Sequence, residues 1–130
     1  TDYPCPVFLL HIPYSDSEIS PLFKLLYDSL PIVEGETEPR MNIICQSGFI
    51  DNYVYIIPRS KHRPDCYYAQ GKEQLLVSPA SLEMAGLFPI ARPEDYDRMN
   101  ERTIRRILAE VGITVQEAEQ IAKTIQKHCP

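Results

Sequence analysis

The sequence predicts an α+β domain: a small, mainly antiparallel sheet with helices packed on it, followed by a helical C-terminal third. Three observations predict this class. Two β-rich runs, Met41–Phe49 and Tyr53–Arg59, lie next to each other with turn residues between them. The last third carries two capping signatures, the second ahead of an apolar stripe at helical spacing. At 130 residues the chain fits one domain with one core, burying about two-thirds of its unfolded surface. Residues 1–130 are therefore read as a single domain, and a start at Thr1 suits a processed chain or the C-terminal portion of a longer protein.

Each element has a local reason. Val7–Ile12 is a strand-sized apolar run, read as buried and stopped by Pro13. Ser15, Asp16 and Ser17 offer N-cap oxygens for a helix that starts near Glu18 or Ile19, with Pro21 in its first turn. Leu22, Phe23, Leu26 and Leu30 fall on one face of it, and Pro31 ends it. Val33–Arg40, acidic and holding Gly35 and Pro39, is a surface loop.

The hairpin turn is expected at Ile50-Asp51-Asn52. Alternation then sets Tyr53, Tyr55 and Ile57 on one face and Val54 and Ile56 on the other. Both faces are apolar or aromatic, which marks a central strand covered on both sides. Pro58 fits only where the ladder ends. Arg59–Lys72 is a polar loop, and Leu75–Val77 and Leu87–Ala91 read as short strands. Between them Ser78-Pro79 reads as a helix start, and Gly86 closes that brief helix. Pro93 opens one or two turns through Met99. Asn100 caps a helix to about Val111 that ends at Gly112. Thr114 and Glu117 form a capping box for the last helix, with Ala118, Ile121, Ala122 and Ile125 as its buried stripe.

Bulk properties exclude several functions. A net charge of −5 opposes binding of a nucleic-acid backbone, and the last helix carries only Lys123 and Lys127 as basic residues. No apolar run approaches the roughly 18 residues of a membrane helix, and no basic segment precedes an apolar one at the start. Cys5, Cys45, Cys66 and Cys129 form no C-x-x-C pair, which suits reduced thiols in a cytoplasmic protein. Zinc is the alternative, since Cys66 follows His62 by four residues and His128 precedes Cys129. No second pair stands at a fixed spacing, so no metal site and no cofactor are assigned.

The chemistry-bearing stretch is Pro58-Arg59-Ser60-Lys61-His62-Arg63-Pro64, three fixed positive charges and a histidine directly after a strand. Arg59 is expected to leave the sheet at its end and still reach solvent. Guanidinium groups bind phosphate bidentately and a lysine adds a compact charge, so a phosphate-bearing ligand fits this edge. Solvation of an ordinary loop is the plain alternative. Ser78-Pro79 at a helix start would add backbone N–H groups, and Glu83 would pair with a loop arginine or contact a ligand hydroxyl. No nucleophile–base set is complete, because His11, His62 and His128 are scattered and no G-x-S-x-G, G-x-G-x-x-G or Walker loop occurs.

The order Val54-Tyr55-Ile56-Ile57-Pro58-Arg59-Ser60, a polar loop, then Leu75-Leu76-Val77-Ser78-Pro79-Ala80-Ser81-Leu82-Glu83-Met84-Ala85-Gly86 resembles the C-terminal part of histidine-triad superfamily nucleotide phosphorylases and transferases. Diadenosine-tetraphosphate phosphorylases and GDP-hexose phosphorylases are the types it is most similar to. The likeness spans about Asn52 to Arg92. Arg59 and Ser60 match the strand-end pair, and Ser78, Glu83 and Gly86 the second segment, while Lys61, His62 and Arg63 extend the first. Those enzymes form a nucleotidyl-histidine on a His-x-His-x-Gln motif, which this sequence lacks. The resemblance therefore implies a parent protein whose upstream half holds the nucleophile. This domain would then complete the fold and contribute phosphate contacts to a nucleotide or sugar-nucleotide. The competing reading is a non-catalytic interaction or oligomerisation module, a homodimer for example, anchored by Tyr53, Tyr55, Tyr67 and Tyr68.

Overall fold

The computed structural model describes residues 2–13 and 19–128, and the N-cap candidates Ser15, Asp16 and Ser17 fall outside them. In chain order the elements are β1 (Phe8–Pro13), α1 (Ile19–Ser29), β2 (Met41–Ser47), β3 (Asp51–Pro58), α2 (Asp65–Tyr68), a 3-10 turn (Gly71–Glu73), α3 (Ser81–Met84), α4 (Pro93–Tyr96), α5 (Glu101–Val111) and α6 (Val115–His128). The described strands form one antiparallel sheet in the order β1-β3-β2. The predicted α+β class holds.

The central place of β3 follows from its two apolar faces. Leu10 of β1 with Val54 and Ile56 of β3 packs on Leu26 of α1 and Leu30 just after it, on Ile113 ahead of α6 and on Ile121 within it. On the opposite face Ile57 packs on Met84, Leu108, Val111 and Cys5. That second face is covered only towards the Ile57 end. Tyr53 and Tyr55 stay half-buried, with Tyr53 stacked on exposed His11 at 5.0 Å.

Four expectations need correction. β1 is an edge strand and only half buried: Leu10 faces the core while Leu9 is exposed. The hairpin turns at Phe49-Ile50, one step earlier than expected, because Asp51 and Asn52 are already paired with Pro13 and Ile12 of β1. Gly48 donates its N–H to the Asp51 carbonyl at 2.9 Å, and a Cβ at Gly48 would meet that oxygen at 2.8 Å. Shifting this register by one residue would turn Val54 and Ile56 out of the core.

Leu75–Val77 and Leu87–Ala91 are irregular rather than strands. Leu75 and Val77 are buried against Ile107, but their segment finds its hydrogen bonds elsewhere. Leu75 N–H donates to the Cys66 carbonyl at 2.9 Å and Leu76 N–H to the Asp95 carboxylate at 3.3 Å. Ser78-Pro79 does not start a helix: α3 begins at Ser81 after an extended Ala80. The capping there is one-sided, since Ala80 has no side-chain acceptor. Glu83 supplies it by accepting the Ala80 N–H at 2.8 Å.

The helical third follows its signals. Asn100 Oδ1 accepts the Thr103 N–H at 3.0 Å, Pro93 opens α4, and Thr114 and Glu117 exchange hydrogen bonds of 3.2 and 2.7 Å. The first residues lie against this third. Tyr3 donates its hydroxyl to the Met84 carbonyl at 2.6 Å, and Asp2 pairs with Arg105 at 2.7 Å. Cys5 fills the space beside Gly112, where any Cβ would stand 2.5 Å from that of Cys5. Burial pushes the Cys5 thiol up to about 11.

Candidate functional site

Pro58 carries no N–H, so the ladder stops there and the chain is handed from the sheet to α5. Arg59 forms an isolated bridge with Gly112, its N–H donates to the Arg40 carbonyl at 2.9 Å, and Ser60 N–H donates to the Val111 carbonyl at 2.9 Å. Ser60 also aims its hydroxyl at the Glu110 carbonyl at 3.3 Å, so it serves the free carbonyls at the end of α5.

The side chain of Arg59 turns inward, contrary to the expectation that it reaches solvent; only 6% of the residue is exposed. All five guanidinium N–H groups are engaged. Nε donates to Val111 O (3.3 Å), Nη1 to Asn42 Oδ1 (2.6 Å) and Pro79 O (3.0 Å), and Nη2 to Lys61 O (3.1 Å) and His62 O (2.9 Å). One side chain thus holds the strand-end loop, β2, the connector before α3 and the end of α5 together. Burial lowers its pKa, yet a guanidinium starts so high that it stays charged.

The remaining loop cations differ in their availability. Lys61 is committed to Asp65 at 2.8 Å and Glu110 at 2.7 Å, and these bonds raise its pKa. Arg63 stays exposed. Its guanidinium lies 4.3 Å over the Tyr67 ring, and Nε donates to the Ser78 hydroxyl at 3.1 Å. Both terminal nitrogens of Arg63 lack a partner among the described residues. His62 is exposed, with Nε2 3.8 Å from Glu36. Arg40 grips Glu36 with bonds of 2.9 Å to each carboxylate oxygen, which holds that carboxyl below its usual range.

These groups converge on an open cleft of about 540 Å³. Arg40, Arg59, His62 and Arg63 line it with Asn42 and Ser78, while Met41, Tyr68, Pro79 and Ala80 supply apolar wall. Among the described residues no carboxylate lines it, and Glu36 stands beside Arg40 and His62. Of the sequence-marked residues, the structure brings Arg59, His62, Arg63 and Ser78 together; Ser60, Lys61 and Glu83 are engaged outside it. Arg40 and Asn42 went unmarked, and Tyr68 was marked only as an interface anchor. Asn42 carried a signal, a polar residue heading the apolar run Ile43-Ile44.

The cleft can hold an anion. Within it the Ser78 hydroxyl faces Arg63, and His62 Nε2 faces Glu36. His11 pairs with Asp51 at 3.2 Å, but at the far end of the sheet. Among the described residues no three His, Cys, Asp or Glu side chains are grouped closely enough to hold a metal ion, and no helix is long and apolar enough to cross a membrane.

No curated protein and no solved structure matches the chain. One family model does, described as "GDPGP1-like, C-terminal domain", over residues 1–129. The match agrees with the GDP-hexose phosphorylase side of the motif resemblance and extends it across nearly the whole chain. The chain therefore belongs to the GDPGP1-like C-terminal domain family, the C-terminal part of a GDP-hexose phosphorylase-like protein.

Proposed function

We propose that this domain lends a phosphate-binding cleft to a nucleotide phosphorylase of the histidine-triad superfamily, with the nucleophile in the upstream half of the same polypeptide. One observation carries the reading. Arg63 is fixed by its stack on Tyr67 and its bond to Ser78, and it offers an unpartnered fork to a cleft lined by no carboxylate. Such a fork matches two phosphate oxygens at once. His62 adds a donor, and Arg59 works from behind by holding the walls. Glu83 serves as a cap for α3 and has no ligand role in this reading. A cytoplasmic setting belongs to this reading, and the free thiols of Cys5, Cys45 and Cys66 are compatible with it.

The test is Arg63→Ala, in this domain and in the full-length protein. Losing a charge-assisted pair of hydrogen bonds costs about 1.5–3 kcal/mol, which is about 10- to 100-fold in affinity. Titrated inorganic phosphate and GDP should bind the variant domain that much more weakly. In the whole enzyme KM for the nucleotide should rise with little change in kcat. Unaltered titrations together with unaltered KM would remove the cleft from the reaction.

A second reading rests on a different surface. Phe49 is fully exposed and Ile50 nearly so at the hairpin tip, close to the half-covered face with Tyr53, Tyr55 and Leu9. Aromatic anchors of this kind favour an interface, and a homodimer is the simplest form of it. Sedimentation of the domain should then show a mass that rises with concentration and falls back to the monomer on Phe49→Ser. A strictly monomeric wild type at high concentration would refute it.

A further inference from the structure

We propose that Arg59 supplies the cleft with a buried positive charge that has no ion-pair partner among the described residues, attracting the bound anion without a hydrogen bond to it. This deepens the phosphate-binding reading and rests on it.

The acceptors around Arg59 are the key observation. Four are backbone carbonyls and the fifth is the neutral amide oxygen of Asn42. Among the described residues no carboxylate lies within ion-pair distance of its guanidinium. Its charged neighbours behave otherwise: Lys61 has two carboxylates, Arg40 has Glu36, Arg92 and Arg98 share Asp95, and Arg105 has Asp2 and Glu101. In an acidic protein, the most deeply buried arginine of the cleft thus has no carboxylate partner among the described residues, a lack it shares with the exposed Arg63.

Burying a charge unpaired is costly, and carbonyl dipoles offset only part of that cost. A structural staple could have used a carboxylate at residue 42, which would satisfy the same geometry. With Asn42 there, the net charge persists and its field runs through protein rather than water, so salt screens it weakly. Asn42 and Pro79, which accept from Nη1, line the cleft together with Arg59 itself, so the guanidinium sits at its wall with every N–H already engaged. An anion seated at Arg63 would restore neutrality, and binding it would relieve the burial cost.

Inorganic phosphate is the probe, titrated calorimetrically at low salt against domain variants checked by circular dichroism. Arg59→Lys keeps the charge and loses most of the hydrogen bonds; Arg59→Gln loses both. The expected result is phosphate affinity in Arg59→Lys within about threefold of wild type and a drop of about tenfold or more in Arg59→Gln, counted per folded molecule. A purely structural staple would weaken both alike, and equal affinities would overturn the proposal. Where these variants fail to fold, Asn42→Asp decides, since it adds the missing counter-ion without changing shape. It should melt no lower than wild type and bind phosphate about tenfold more weakly; unchanged affinity overturns the charge role. If Arg63→Ala abolishes binding while these variants leave it intact, the cleft reading survives and only the role of Arg59 falls. If the wild-type domain binds no phosphate, the cleft reading fails and takes this inference with it.

Discussion

Arg59→Leu should lower the unfolding free energy by about 3–5 kcal/mol, a large share of what a domain of this size possesses. The substitution keeps an apolar stem and deletes five donors. It leaves the carbonyls of Pro79, Lys61 and His62 and the amide oxygen of Asn42 facing a gap, while the Val111 carbonyl keeps the Ser60 N–H. Each buried acceptor left without a donor costs about 1–3 kcal/mol, and water entering from the cleft recovers part of the sum. Urea unfolding followed by circular dichroism would read the loss as a lower midpoint at constant slope. Arg63→Ala, whose guanidinium bridges only Ser78 and the Tyr67 ring, should move that midpoint little. A loss below about 1 kcal/mol for Arg59→Leu would mean that water or rearrangement satisfies those carbonyls at little cost.

Asp95→Ala is the second large effect, at about 3 kcal/mol. Asp95 is 1% exposed, yet its carboxylate is fully used. Oδ2 accepts from Arg92 Nε at 2.8 Å and from Leu76 N–H at 3.3 Å, while Oδ1 accepts from Arg92 Nη2 at 3.0 Å and Arg98 Nη1 at 3.2 Å. Both arginines also bind the Gln74 carbonyl, so Asp95 ties α4 to the irregular Leu75–Val77 segment. The arginines are partly exposed, which keeps the expected loss at the lower end for a broken buried pair.

The same geometry gives a pH dependence. Hydrogen bonding from Arg92, helped by the Leu76 N–H and Arg98 and opposed by burial, holds the Asp95 carboxyl below its usual value. A group with a lowered folded pKa stabilises the protein fully above its unfolded pKa, about 4. That contribution fades as the pH falls through the folded value. Acid midpoints of wild type and Asp95→Asn should therefore differ near neutrality and converge in strong acid. Parallel curves down to the lowest pH would contradict this.

Much of the fold was legible because it is written in local patterns. The two faces of β3, the Asn100 cap and the Thr114–Glu117 box each depend on residues within four positions of one another. Leu75–Val77 misled because burial and apolarity are shared by strands and by buried irregular segments. What separates them is where the backbone N–H groups go, and here they go to Cys66 and Asp95. The turn misled because Asp51 and Asn52 have turn chemistry, but the ladder to β1 claims them.

The candidate site divides in the same way. The cations of the strand-end loop are visible as charge. Which of them is free is not, because that depends on distant partners: Glu110 for Lys61, and Asn42, Pro79 and Val111 for Arg59. No local rule in the sequence distinguishes the buried Arg59 from the available Arg63.

The seating of the first residues has a consequence in time. Asp2, Tyr3 and Cys5 find their partners at Arg105, Met84 and Gly112, contacts spanning most of the chain. On a ribosome the seat of that segment is incomplete until α5 has been made and has cleared the exit, several seconds later at about 5–20 residues per second. The start of the domain thus waits on its end. Closure of so long a loop comes late, and an interruption of synthesis before α5 would leave the apolar residues around Cys5 without the cover of Leu108 and Val111.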